Sequence, residues 1–72
     1  MKTPTLRGLD LLRRENPAAL ADLRDADYAL KYARAMLRDD AEAAAEFGTD
    51  DAAAQRLAAV LRHSYAAAPL GT

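Results

Sequence analysis

Residues 39–57, DDAEAAAEFGTDDAAAQRL, decide the fold of this chain because they hold two helical patterns with a turn between them. Asp39 followed by Glu42 resembles a capping box, in which an aspartate replaces the usual serine or threonine. A run of small apolar residues then leads to Gly48, which can end a helix in the left-handed conformation. The stretch therefore predicts a short helix over residues 40–47.

The second pattern predicts a longer helix over residues 50–67. Thr49 can cap it, and Asp50 and Asp51 lie in its first turn, where the helix dipole favours negative charge. The residues expected on its inner face, from their helical spacing, are Ala53, Leu57, Val60, Leu61 and Ser64. Residues 69–72 begin with a proline that stops the helix, and we expect them to form a flexible tail.

Towards the N-terminus, local start signals predict three more helices. These signals are Thr3-Pro4, Asn16-Pro17 and an aspartate cap at Asp25 or Asp27. The predicted helices cover residues 4–15, 17–24 and 26–38. The fold class that follows is all-α, a small compact bundle of four to five short helices in a single domain over residues 1–68.

The third predicted helix is apolar around more than half of its circumference, which places it at the centre of the bundle. Its main apolar stripe is Ala26, Leu30, Ala33 and Leu37, and Tyr28, Tyr32 and Ala35 lie nearly opposite. Its charged stripe is narrow and consists of Asp27, Lys31, Arg34 and Arg38. Leucines are expected to form the buried faces of the two preceding helices. These are Leu9 and Leu12 on the first helix, and Leu20 and Leu23 on the second.

Composition agrees with a helical protein and excludes several other classes. The 72 residues include 19 alanines and 11 leucines, no cysteine, one histidine and a formal net charge of -1. Disulfides and Cys/His metal clusters are therefore excluded, and no apolar run reaches the ~18 residues of a membrane span. Charged residues within the first 16 positions argue against a signal peptide, so we expect a cytoplasmic protein.

Nothing in the sequence indicates catalysis. His63 and Ser64 are adjacent, so on a helix they point about 100° apart and do not face each other. The glycines are isolated, which excludes a phosphate-binding loop, and a pocket of ~300 Å³ or more is hard to build in so small a bundle. We therefore predict that the protein is not an enzyme and binds neither cofactor nor metal.

Residues 40–59 resemble a helix-turn-helix motif, with a small residue at Ala44 and the turn at Gly48. Charge argues against DNA binding, because residues 39–51 contain six carboxylates and no basic residue. DNA affinity depends largely on Lys and Arg that neutralise phosphates. The DNA-binding alternative therefore requires basic residues elsewhere to converge on one side, and the candidates are Lys2, Arg7, Arg13 and Arg14.

Two sets of residues are not needed to form a minimal core, and both are candidate contact surfaces for a partner protein. The first, on the last helix, combines Ala52, Ala59 and Ala66 with Gln55 and Arg62. The second is the tyrosine pair Tyr28 and Tyr32 with Met36, residue types that are enriched at interfaces. Simpler interpretations are that alanine merely fills a helix surface and that the tyrosines pack inside the bundle. The acidic segment 39–51 could also dock on a basic protein, or could simply begin helices.

The sequence thus predicts a small non-catalytic helical protein that acts by binding another protein. A phage- or plasmid-type regulator of a host machine such as the transcription apparatus fits its size and charge, although no motif specifies that role. The alternatives are a helix-turn-helix DNA-binding regulator and a structural subunit that assembles with itself through its alanine face.

Overall fold

The computed structural model describes residues 5–66 and confirms the all-α class, with no strand in that part of the chain. Four α-helices follow one another: α1 (Leu6–Glu15), α2 (Ala26–Asp39), α3 (Ala41–Phe47) and α4 (Asp51–Val60). A 3₁₀ helix (Pro17–Arg24) connects α1 to α2, and a π-helical segment (Leu61–Tyr65) continues α4. The breaks predicted after residues 16, 25, 39 and 48 are therefore all present.

The helices start within two residues of the predicted positions, but several capping residues differ. The Asp25 carboxylate accepts a hydrogen bond from the Tyr28 backbone N–H at 2.9 Å, as one of the two predicted caps. The Thr5 hydroxyl caps α1 by accepting from the Gly8 N–H at 2.9 Å. Thr5 itself is extended. The predicted Thr3-Pro4 start lies outside the described residues.

Two predicted caps in the opening stretch were wrong by one residue. Asp39 ends α2, and Asp40 caps α3 by accepting from the Glu42 N–H at 3.0 Å. Asp50, not Thr49, caps α4 by accepting from the Ala53 N–H at 2.9 Å. In each case the neighbouring aspartate has the extended backbone that lets its side chain turn back onto the first helical turn.

The turn between α3 and α4 depends on Gly48, as predicted, although its backbone is not left-handed helical. Its φ of 100° is combined with a ψ of -174°, a region that only glycine occupies readily. The Arg56 side chain of α4 donates to the Phe47 carbonyl at 2.6 Å. This bond satisfies a carbonyl at the end of α3, where a cation also complements the helix dipole.

α2 lies at the centre, as predicted, and contacts α3, α4, the 3₁₀ helix and the π-helical segment. Its buried face is rotated from the predicted stripe, because Ala29 and Met36 are fully buried while Ala26 is exposed and Leu30 only half-buried. On α4 and its π-helical continuation, the buried residues are Ala53, Ala54, Leu57, Ala58 and Leu61. Ser64, predicted to face inwards, is exposed.

The remaining core comes from α1 and the 3₁₀ helix. Leu9, Leu20 and Leu23 are buried, which confirms three of the predicted core leucines, and Leu12 packs partly against them. Leu11 is 56% exposed. Buried alanines lie on both α2 and α4, which contact each other extensively, and the outer sides of these two helices form a seam.

Candidate protein-binding groove

The seam between α2 and α4 holds two clefts. The larger, about 460 Å³, is lined by Arg34, Leu37, Arg38, Thr49, Asp50, Asp51 and Ala54. The smaller, about 210 Å³, is lined by Ala26, Leu30, Gln55, Ala58, Ala59 and Arg62. The end of α2 thus lies beside the start of α4, and the start of α2 beside the end of α4, which makes the two helices antiparallel.

Opposite charges form the walls of the larger cleft. Arg34 and Arg38 project from α2, Asp50 and Asp51 stand at the start of α4, and one Arg34–Asp51 ion pair spans them at 3.5 Å. Both members of that pair are largely exposed, with 57% and 81% of their side-chain surface accessible, so water weakens their attraction. A pocket of ~300 Å³ or more was predicted to be hard to build in so small a bundle, and this cleft exceeds that volume as an open depression in the surface and not as an enclosed cavity.

The smaller cleft is mostly apolar. Leu30 is half-buried, Ala58 is almost fully buried, and Ala26 and Ala59 are exposed at its edges. Alanine side chains leave the helix backbones accessible to an approaching surface. Only Gln55 and Arg62 supply polar side chains here, so the cleft presents an apolar floor beneath a polar edge on α4 and its π-helical continuation.

The two clefts follow one another along the same seam, and we treat them together as one groove. Along α2 the lining residues recur every three or four positions, as Ala26, Leu30, Arg34, Leu37 and Arg38, and such residues share one helix face. Along α4 and its π-helical continuation the same spacing links Asp51, Gln55, Ala58 and Arg62. At 1.5 Å per residue, the groove extends roughly 18 Å from residue 26 to residue 38. We call it the α2–α4 groove.

The groove contains three of the five residues in the predicted alanine surface, namely Gln55, Ala59 and Arg62. Ala52 is exposed but lines neither cleft, and Ala66 is partly buried against the core. The α2 side of the groove was missed, because Ala26 and Leu30 were assigned to the inner stripe of the bundle. Their position at the end of an apolar arc, next to the charged stripe, was the signal that could have identified an edge.

The tyrosine surface is only partly present. Tyr28 is 42% exposed and Tyr32 is half-buried, with their ring centroids 5.9 Å apart. Burial, and secondarily the neighbouring Tyr28, raises the pKa of the Tyr32 phenol. Met36 is fully buried, so its proposed place in a binding patch was wrong. The amphipathic pattern of α2 did not determine its rotation about the helix axis. The rotation found in the structure places Met36 in the core.

Arg13, a candidate nucleic-acid contact, lies on α1 and binds residues of the π-helical segment at the other end of the described chain. Its guanidinium donates to the Ser64 carbonyl at 2.5 Å, lies 3.2 Å from the Asp10 carboxylate and stacks 5.2 Å from the Tyr65 ring centre. Partial burial, followed by the charge of Asp10, raises the pKa of the Tyr65 phenol. Arg7 and Arg14, the other two candidates on α1, are exposed.

The carboxylates of residues 39–51 have several local roles. Asp40 and Asp50 cap helices, Asp51 pairs with Arg34, and Asp39 lies 3.4 Å from Arg38. Within residues 5–66 no three carboxylate, histidine or cysteine side chains gather where a metal ion could bind. His63 is exposed on the π-helical segment. None of the helices in this range is long and apolar enough to span a membrane.

No protein-family model matches this sequence, and comparisons with curated proteins and with solved structures find no significant similarity.

Proposed function

We propose that this chain is a non-catalytic protein that acts by binding another protein through the α2–α4 groove. The observation that supports this proposal is that both clefts lie along the same seam between α2 and α4. An apolar floor bordered by charged side chains is the usual anatomy of a protein interface, in which a dry centre is surrounded by a polar rim.

The shape of the groove favours a macromolecular partner over a small ligand. Small-molecule sites are concave, enclose most of the ligand and place a few polar groups towards its centre. Here the polar groups stand on the outer walls, and both clefts open to solvent along the seam. A helix or strand laid along the groove would cover the apolar floor and reach the charged walls at the same time.

The helix-turn-helix alternative gains little from the arrangement of charges. Asp50 and Asp51 stand at the start of α4, where the motif would present its contacts to DNA. Of the basic candidates on α1, Arg13 is held by Asp10 and the Ser64 carbonyl. A gel-shift assay on mixed-sequence DNA at about 50 mM salt separates the two proposals, because phosphate binding would be evident there and would fall steeply with added salt.

A photo-crosslinking experiment tests the proposal directly. A photoreactive phenylalanine analogue is placed at Ala59, on the edge of the groove, and separately at Ala45, which is exposed on α3. In cells that express the chain, we expect discrete crosslinked protein products from position 59 and none of these from position 45. The additional substitution Leu30→Asp, which puts a charge on the floor, should abolish them.

The proposal fails if position 59 gives no product above position 45 while circular dichroism shows that both variants are folded. The narrower hypothesis of a phage- or plasmid-type regulator of a host machine depends only on size and charge. It requires that a crosslinked product be identified as a component of such a machine.

A further inference from the structure

We propose that the α2–α4 groove binds a second copy of this chain, through a two-fold axis that runs along the groove. This inference rests on the proposed function and names the occupant of the groove. It follows from the arrangement of charge along the two walls, which is complementary to itself.

The α2 wall changes sign along its length. Asp27, Lys31, Arg34 and Arg38 are spaced by four, three and four residues, so they form one stripe on the helix. Arg34 and Arg38 line the larger cleft. Asp27 lines neither cleft, but it is exposed and follows Ala26, which lines the smaller one, so the helical spacing places it at the opposite end of the stripe. This wall is therefore positive at the larger cleft and negative at the end with the smaller cleft.

The α4 wall changes sign in the opposite sense. Asp50 and Asp51 line the larger cleft, and Arg62 lines the smaller one, with the neutral Gln55 between them. Viewed from solvent, the four corners of the groove thus alternate in charge. Each positive corner has a negative corner across the groove and another along the same wall.

A two-fold rotation about an axis along the groove places the α2 wall of one copy over the α4 wall of the other. The larger clefts of the two copies then face each other, and so do the smaller clefts. Arg34 and Arg38 then face Asp50 and Asp51 of the second copy. Asp27 faces Arg62 of the second copy, and symmetry repeats each contact. The facing helices are antiparallel, so their dipoles also oppose each other favourably.

The other two-fold arrangement, with its axis across the groove, is less favourable. It would lay each α2 wall over the same wall of the second copy. Lys31, close to the midpoint of that wall, would then face another Lys31. In the chosen arrangement Lys31 faces Gln55, which carries no charge, so the central contact is not repulsive.

The floor permits the close approach that this arrangement needs. Ala26 and Ala59 are exposed at its edges, and their small side chains let two helix pairs pack closely. The face measures about 18 by 20 Å, taking each helix as about 10 Å wide. Since standard interfaces bury about 800 Å² on each partner, we expect a weak dimer, detectable at protein concentrations approaching about 1 mM.

Exchange of charges between two variants tests the arrangement. In Asp27→Arg, two symmetry-related contacts each set guanidinium groups against one another, and in Arg62→Glu they set carboxylates against one another. Sedimentation velocity on the full chain should show dimers for the original protein and at least roughly tenfold weaker association for each variant. A 1:1 mixture of the two variants should dimerise again, because the mixed dimer restores both contacts as opposite charges.

Several results would overturn the inference. A protein that stays monomeric at about 1 mM and low salt excludes self-association. Dimers that persist in both variants place the contact elsewhere, and a mixture no better than the single variants excludes the proposed axis. Groove-dependent crosslinking from Ala59 to a different protein, with a monomer in the centrifuge, would retain the proposed function and refute only the identity of the occupant.

Discussion

Arg13 gives the sharpest test of how the two ends of the described chain are held together. Its side chain is 45% exposed yet makes three contacts, with the Ser64 carbonyl, the Asp10 carboxylate and the Tyr65 ring. Two of these reach the π-helical segment from α1, and the bond to Ser64 spans 51 residues of sequence. Removal of the guanidinium by Arg13→Ala should therefore loosen the packing of α1 on the end of the chain.

The expected cost follows from these contacts. A hydrogen bond from a charged donor contributes roughly 1.5–3 kcal/mol when well buried, and the exposure of Arg13 reduces this to about 1 kcal/mol. The ion pair with Asp10 adds about 0.2–1 kcal/mol, and the stacking on Tyr65 about 0.5–1 kcal/mol. Because the contacts share one group and are not additive, we expect a loss of about 1–2 kcal/mol.

Thermal unfolding followed by circular dichroism measures this loss. For a domain of this size, 1 kcal/mol corresponds to a change in Tm of roughly 4–8 °C. Arg14→Ala is the matched control, since Arg14 is the exposed neighbour on the same helix, and it should change stability by less than about 0.5 kcal/mol. Equal changes in Tm for the two variants would refute the assigned role of Arg13.

Three further predictions concern the turn, a cap and the tyrosines. Gly48→Ala should lower the free energy of unfolding by about 1–3 kcal/mol in urea titrations, because alanine tolerates its backbone angles poorly; an unchanged midpoint would contradict this. Asp50→Ala should lower the free energy of unfolding by about 1 kcal/mol through loss of the α4 cap. Thr49→Ala should lower it clearly less, and the reverse order would support Thr49 as the cap. Since the pKa of Tyr32 and of Tyr65 is raised in the folded state, the unfolded chain loses these protons first, and stability should fall as pH rises above about 10. Urea titrations at several alkaline pH values should show this fall, reduced in Tyr32→Phe and Tyr65→Phe, and equal slopes in all three proteins would exclude the tyrosines as its cause.

The sequence by itself determined the order of the helices and most of their boundaries, although the helix predicted over residues 50–67 is α-helical only to Val60. Pro17, Asp25 and Gly48 act through local bonds and local backbone preference, so their effects do not depend on distant parts of the chain. The same local rules chose Asp39 and Thr49 as caps, where the structure uses the adjacent aspartates. Neighbouring residues able to cap a helix differ little in energy, so capping preference alone does not choose between them.

Tertiary structure alone decided which face of each helix is buried and therefore where the groove lies. Because α2 is apolar around much of its circumference, its sequence alone allows several rotations about the helix axis. Contact with four other elements selects one of these rotations. This rotation buried Met36, left Ala26 and Leu30 at an edge and set the charged stripe of α2 opposite the aspartates of α4. Which side chains meet across two helices depends on their relative rotation and direction, and those quantities exist only once the helices have packed.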